Sequence, residues 1–313
     1  MKRILFMLYL LIALILIVPG QKKGDTLSRL ESAPRVMAIL PSQNNPFWSG
    51  VWAGIHQSIP YASFVLTEYD YEISDAETLL QLLDLAENVS PDGLILAPQV
   101  TLSASFYQKL KTLKEKGVKV IILNTDIDKE DYYDTFLGID NIDAGIILGQ
   151  YLALNLKPDQ EILEIHNPPP FSNTLQDRID AFHAAMEQKG LLSRVHTLET
   201  LLEYPKGIQD ILSALQNNEN LRYLVTMGPT YTLYAASAVN MMGLPYKVTV
   251  LGFGETQEAL EYVEQGAIEV LFMQANTQLG QRSVQIMEQL LTGENTLKRY
   301  RIDINLITKQ NIS

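Results

Sequence analysis

The residues best suited to chemistry in this chain lie in the run Pro41-Ser-Gln-Asn-Asn-Pro-Phe-Trp48. Asn45 carries an amide that can both donate and accept hydrogen bonds, which is what hydroxyl groups require. Phe47 and Trp48 are adjacent flat rings, and such rings can stack on the apolar face of a sugar-like ring. These types suit the recognition of a small polar molecule, not its conversion.

The rest of the chain supports that exclusion of catalysis. There is no Cys, which removes disulfides, thiolate chemistry, Cys-based metal sites and a lipid-modified N-terminal Cys. His56, His166, His183 and His196 stand apart without metal-ligand spacing. The sequence holds no Gly-x-Ser-x-Gly elbow and no P-loop. Gly252-Phe-Gly254 lacks the third glycine and the distant acidic residue of a dinucleotide fingerprint. Glu255, which follows it, reads as the cap of the next helix. We expect no enzyme activity, no cofactor and no metal.

The elements that must position the Asn45–Trp48 loop are a strand before it and a helix after it. Val36–Leu40 is a short apolar run and Ser49–Ser58 is periodic. In an open α/β sheet, ligands bind at loops outside the carboxyl ends of strands. The alternation continues along the chain. Strands are predicted at Ser63–Asp70, Gly93–Ala97, Val118–Leu123, Glu161–Ile165, Val195–Leu202, Tyr223–Met227, Val248–Phe253 and Ala267–Phe272. Helices fall between them, among them Asp75–Asn88, Ser103–Lys116, Ala144–Leu156, Leu175–Lys189 and Thr277–Thr292. Nearly continuous apolar strands mean parallel sheets covered by helices on both faces. The strands are too many for one sheet, and the pattern of post-strand loops occurs twice. The predicted class is α/β, with two doubly wound, Rossmann-like halves facing each other across a cleft.

Length and charge agree with this. The 313 residues suffice for two domains. The net charge of −12 repels polyanions, so no nucleic-acid partner is expected. Lys2-Arg3 precede an apolar run from Ile4 to Val18 that closes on Pro19-Gly20. Residues 1–20 therefore read as a signal peptide or an N-terminal membrane anchor. Val18 and Gly20 make a poor cleavage site around Pro19, which favours the anchor. Lys2 and Arg3 would stay inside, leaving the remainder extracytoplasmic, in the periplasm or on the outer face of the membrane. Residues 21–34 are polar and mixed, as in a linker.

The chain resembles the ribose/galactose type of bacterial solute-binding proteins, which share the type I periplasmic binding protein fold with lac-type repressors. The resemblance rests on Asn44-Asn45-Pro46-Phe47-Trp48, Asp92-Gly93-Leu94-Ile95-Leu96-Ala97-Pro98, Gly117–Ile122, and Gly138-Ile139-Asp140-Asn141 with Ala144-Gly145 and Gly149. Leu251-Gly252-Phe253, Gln274 with Gln278-Leu279-Gly280, and Leu291–Glu294 complete it. The resemblance implies lobes at 35–138 plus 275–302 and at 139–274 plus 303–313. Three crossings would join them, near Leu137–Ile139, Gln274 and Ile302.

The resemblance also implies ligand contacts at Asn45, Phe47, Trp48, Asn124, Arg178, Tyr204 and Gln274. Phe47 and Trp48 read as cleft-lining more than core. Asn124 and Asp126 follow a buried strand, where turn formation and ligand contact are both open. Arg178 either meets polar ligand oxygens or pairs with Asp177 or Asp180 on a solvated helix face. Tyr204 is either a ligand aromatic or a surface tyrosine. Four polar positions depart from the pentose-binder pattern, at Ala97, Thr125, Gly228-Pro229 and Gly254-Glu255. The implied ligand is carbohydrate-like without being fixed as ribose. The implied partner is a membrane importer permease or a sensor histidine kinase. A transcription regulator of the lac-repressor type lacking its DNA-binding domain is the alternative; residues 1–34 leave no room for a helix-turn-helix.

Overall fold

The computed structural model describes residues 33–312, apart from 73–74, 99–101, 170–171, 202 and 204. The predicted anchor and most of the linker lie outside the described residues, as does Tyr204. Among the described residues no helix is long and apolar enough to cross a membrane.

The first sheet is built from β1 (Arg35–Pro41), β2 (Val65–Tyr71), β3 (Gly93–Leu96), β4 (Lys119–Leu123) and β5 (Thr135–Ile139). The second repeats the scheme with β6 (Glu161–His166), β7 (Val195–Glu199), β8 (Leu221–Thr226), β9 (Thr249–Phe253) and β10 (Ile268–Gln274). Two short terminal strands, β11 (Arg299–Ile302) and β12 (Ile304–Ile307), add one to each. The spatial orders are β11-β5-β4-β3-β1-β2 and β12-β10-β9-β8-β6-β7. The order is the same in both, so the doubly wound arrangement occurs twice. All pairings are parallel except that of β12 on β10.

The helices are α1 (Pro46–Ser58), α2 (Ala76–Val89), α3 (Ala104–Glu115), α4 (Asn141–Asn155), α5 (Asn173–Gln188), α6 (Lys206–Asn217), α7 (Pro229–Met241), α8 (Gln257–Gln265) and α9 (Asn276–Thr292). The chain passes from one sheet to the other after β5, after β10 and between β11 and β12. Those three passages form the hinge between the two sheets.

Local sequence explains the helix starts. Asn45, Asp75, Ser103, Asp140, Ser172 and Thr256 each accept a backbone N–H of the first turn that follows. Such a cap satisfies a donor the helix itself leaves free. Pro46 opens α1, where its missing N–H costs nothing. Each sheet is covered on both faces. In the first lobe one core joins α1 and α9 to the sheet, and another joins α2 and α3. In the second lobe the corresponding cores involve α6, α7 and α8 on one face, and α4 and α5 on the other. The central strands are almost wholly buried, whereas edge strands β2 and β7 are largely exposed. Helices α1 and α9 touch at Gly54 and Gly280. A Cβ on either would run into a backbone carbonyl of the other helix, at Thr277 or Val51.

Candidate functional site

In a doubly wound sheet the crevice for a ligand opens where the strand order reverses. Here that is between β1 and β3 in the first lobe and between β6 and β8 in the second. The loop after β1 is short. Asn45 Oδ1 accepts from Phe47 N at 3.0 Å and Trp48 N at 3.4 Å, so its amide oxygen holds the start of α1. The two rings then diverge, 4.9 Å apart and nearly perpendicular.

Trp48 is only 2% exposed and belongs to the core under α1 with Val51, Trp52 and Ile55. Its neighbour Phe47 is 9% exposed and reaches the hinge. There it borders a crevice with Asn124, Ile139, Gln274, Asn276 and Ile302. The crevice encloses about 170 Å³ and has no room for a water-sized sphere. Asn124 enters it from the turn after β4. That turn needs a left-handed backbone (φ 63°), which Asn tolerates because its short side chain bonds locally. Asn276 Nδ2 donates to the Phe47 carbonyl at 3.3 Å.

Asp126 is committed elsewhere. Its Oδ1 accepts from Ile127 N at 2.8 Å and its Oδ2 pairs with Arg299 at 2.5 Å. Arg299 also holds Glu130 at 2.8 Å. The carboxylate thus ties the loop after β4 to β11 and does not line the crevice. Arg299 lowers the Glu130 carboxyl below its ordinary range, chiefly through the hydrogen bond between them.

The second lobe contributes a buried charged group. Arg178 on α5 is 8% exposed, and its hydrogen bonds do not go to Asp177 or Asp180. Nη1 donates to the Met227 carbonyl at 2.7 Å, at the end of β8. Nε and Nη2 donate to Asn141 Oδ1 at 3.0 and 2.5 Å, in the first turn of α4. The guanidinium lies 3.7 Å over the Phe253 ring. Burial lowers it to about 10, opposed by the charge of Glu255. One side chain therefore joins α4, α5, β8 and β9 at the carboxyl end of the second sheet.

Glu255 completes this group, against the expectation that it caps α8. Thr256 is the cap, through its Oγ1 and Ala259 N at 3.1 Å. The offset of one residue turns Glu255 inward. The backbone N–H of Gln274, at the hinge end of β10, faces its carboxyl. Burial pushes it up to about 7, while that N–H and the Arg178 charge pull it down. Its Oε1 is closed off from solvent and has no hydrogen-bond donor.

Of the residues proposed from sequence, the structure gathers Phe47, Asn124 and Gln274 at one crevice and joins Arg178 to it through Glu255 and the Gln274 N–H. It puts Asn45 at a helix cap, Trp48 in the core and Asp126 in an ion pair. Asn141, Glu255 and Asn276 were not singled out. For Asn141 a signal existed: Asp140 already caps α4, which leaves the amide beside it without a helical task.

Two similar α/β lobes, a triple crossing and a narrow crevice at the hinge define a type I periplasmic binding protein architecture. The profile of the periplasmic binding protein domain matches residues 36–295, and the chain belongs to that family. It is 22% identical over 281 residues to the ribose import binding protein RbsB of Salmonella typhimurium, covering 88% of this chain and 90% of that one. A solved periplasmic ribose ABC transporter protein from Conexibacter woesei superposes with a TM-score of 0.80 at 20% identity, over 90% of this chain and 93% of that one. The XylFII-LytSN complex contains a chain that superposes with a TM-score of 0.75 at 20% identity, covering 90% and 99%.

Proposed function

We propose that this chain is an extracytoplasmic solute-binding protein that captures a small, polar, sugar-like ligand between its lobes. The observation that carries the reading is convergence. Phe47 and Asn124 from one lobe meet Gln274 from the other at the hinge end of the crevice, and Glu255 and Arg178 stand behind Gln274 at the carboxyl end of the second sheet. A ring, two amides, a carboxyl and a guanidinium supply stacking, donors and acceptors for a hydroxyl-rich ring. The crevice is narrow, so entry requires the lobes 35–138 plus 275–302 and 139–274 plus 303–313 to move apart about the three crossings and close again.

Closure converts occupancy into shape, which a membrane partner can read. The ribose import relative supports delivery to an importer permease. The XylFII-LytSN neighbour is a complex, which supports a protein partner, and a sensor kinase is the other recipient we propose. An uncleaved segment at residues 4–20 would suit the second. A thermal-shift screen against D-ribose, D-arabinose, D-galactose and related polyols tests the reading, because a ligand specific for the folded state raises Tm by mass action. We expect at least one sugar to raise Tm in the native protein and not in Arg178→Ala. No shift with any sugar overturns the reading.

A further inference from the structure

We propose that the groove between α4 and α5 docks a second copy of this chain, each helix lying antiparallel on its own counterpart. This goes beyond the sugar reading and does not depend on it.

The same helix pair occurs in both lobes. α4 follows β5 and packs beside α5, which follows β6; α9 follows β10 and packs beside α1, which follows β1. The strand orders make β5 equivalent to β10 and β1 to β6. Each pair carries a groove, of about 850 Å³ at α4 and α5 and about 480 Å³ at α1 and α9. The smaller one is polar and tied by its own hydrogen bonds. Gln281 Nε2 donates to Gln57 Oε1 at 2.8 Å, and Glu288 accepts from Ser63 N at 3.1 Å. The larger one is lined by Ile142, Ile146 and Leu154 of α4 and by Ala181, Ala184 and Ala185 of α5. The same two helices fill the core with a different set, among them Leu148, Leu152, Phe182 and Met186. Core packing therefore does not account for the apolar groove, where Ile142 is 52% exposed and Leu154 87%. A lone exposed Leu is ordinary, whereas a contiguous apolar patch marks a contact surface.

Charge and symmetry select the occupant. The chain carries −12 overall, yet the charged residues lining this groove are Glu187 and Lys189, which cancel. Two copies repel least through such a face, and interface cores are depleted of charge. A Cβ on Gly145 would strike the Arg178 carbonyl and one on Gly149 the Ala185 side chain, so α4 and α5 run side by side in one direction. Asp177, exposed one turn before Ala181, marks one end of the pair, and Lys189 marks the other. A twofold axis across the helices lays α4 on the second copy's α4 and α5 on its α5, both antiparallel. Ile142 then meets the second copy's Leu154, and Asp177 meets its Lys189. Helices of 15 and 16 residues make a face of about 23 by about 20 Å. Two such faces bury about 900 Å² in total, the size of a weak, reversible interface.

The test is sedimentation velocity of the whole chain in a non-ionic detergent, with half-association expected at roughly 10–100 µM. Leu154→Glu and Ala184→Glu change exposed positions and are expected to keep the native Tm. Each is expected to weaken association about tenfold or more, because it places a charge in the apolar contact. The absence of Cys gives a positional readout as well. Ile142→Cys mixed with Leu154→Cys is expected to form a disulfide-linked dimer under mild oxidation. Neither variant alone is, because the two positions lie about 18 Å apart along α4. A chain that stays monomeric well above that range, or a dimer indifferent to both Glu variants, overturns the proposal and leaves the groove to a helix of another protein. A disulfide formed by one Cys variant alone and not by the mixture also overturns it. Should a Glu variant not fold, the Cys pair decides. Leu154→Glu is expected to bind sugar as the native chain does, so failure of the sugar reading leaves this face standing.

Discussion

The two lobes share one strand order and face the same crevice, yet they bring different chemistry to it. The first lobe offers a ring edge and a neutral amide, Phe47 and Asn124, on turns held by backbone constraints. Its nearby carboxylate, Asp126, is drawn off to Arg299. The second lobe places a guanidinium and a carboxyl, Arg178 and Glu255, at the carboxyl end of its sheet, the first buried and the second half-buried. A repeated fold therefore does not repeat a site. Packing dictates the common part, and the residues at strand ends are free to differ. Under the proposed function, the first lobe would serve mainly as a platform and the second would read polarity.

Trp48 gives the largest way to break that comparison. If the first lobe is a platform, its aromatic under α1 is a packing residue. Trp48→Ala should cost about 3–5 kcal/mol of stability, as for other large-to-small core changes. Urea denaturation checks this, with the midpoint falling and the slope unchanged. A Trp48→Ala protein of native stability that fails to bind sugar would make Trp48 part of the site and the first lobe a reader too.

Arg178→Ala comes next and strikes the second lobe. It strips Asn141 Oδ1 and the Met227 carbonyl of their donors and leaves the half-buried Glu255 without its counter-charge. Removing one partner of such a buried group typically costs about 3 kcal/mol. The loss should grow with pH. Glu255 has a folded value raised above 4.5, to about 7, so it binds more protons folded than unfolded between those values, and stability falls as pH rises through that window. Without Arg178 the fall should steepen and extend above 7. Equal losses at pH 5 and pH 8 would detach Arg178 from Glu255.

These two residues also mark how far sequence reasoning reached. Alternating apolar runs and helices were legible because buried strands are continuously apolar, and the twofold repeat followed from their number. The partition of Phe47 and Trp48 was written in the chain as well. Trp48, Val51, Trp52 and Ile55 stand at i, i+3, i+4 and i+7, one helical face, and Phe47 lies off it. The Arg178–Asn141 and Asp126–Arg299 pairs were not legible. Their members lie 37 and 173 residues apart, and only the fold brings them together. Glu255 was misread through a single position, since Thr256 caps a helix as well as a preceding acid would.

A smaller effect separates site from scaffold within the second lobe. Glu164 is fully buried on β6 and accepts from His183 of α5 at 2.6 Å. That hydrogen bond raises the His183 pKa above 6.5, with desolvation opposing it. A raised histidine contributes stability that is complete below 6.5 and is lost as pH rises through the folded value. His183→Gln should lower Tm relative to native at pH 5.5 and by less at pH 8.5. The His183 side chain is partly open to water, so the difference should be about 1 kcal/mol. Sugar affinity at pH 8 should not change, because the pair lies under α5 and away from the crevice. A change in affinity would extend the polar reader along the helix.

Asp126 gives the smallest effect and the sharpest test of the first lobe. Sequence alone made it a candidate contact, and the structure engages it with Arg299 in a network that includes Glu130. Exposed pairs of this kind contribute roughly 0–1 kcal/mol and weaken in salt. Asp126→Asn keeps the turn, because its amide oxygen can still accept from Ile127 N. It should therefore shift stability by less than about 1 kcal/mol at low salt, and by less again at high salt. Native calorimetric affinity for the bound sugar is expected. A loss of tenfold or more would mean that Asp126 leaves Arg299 when the lobes close, and the first lobe would then read polarity as the second does.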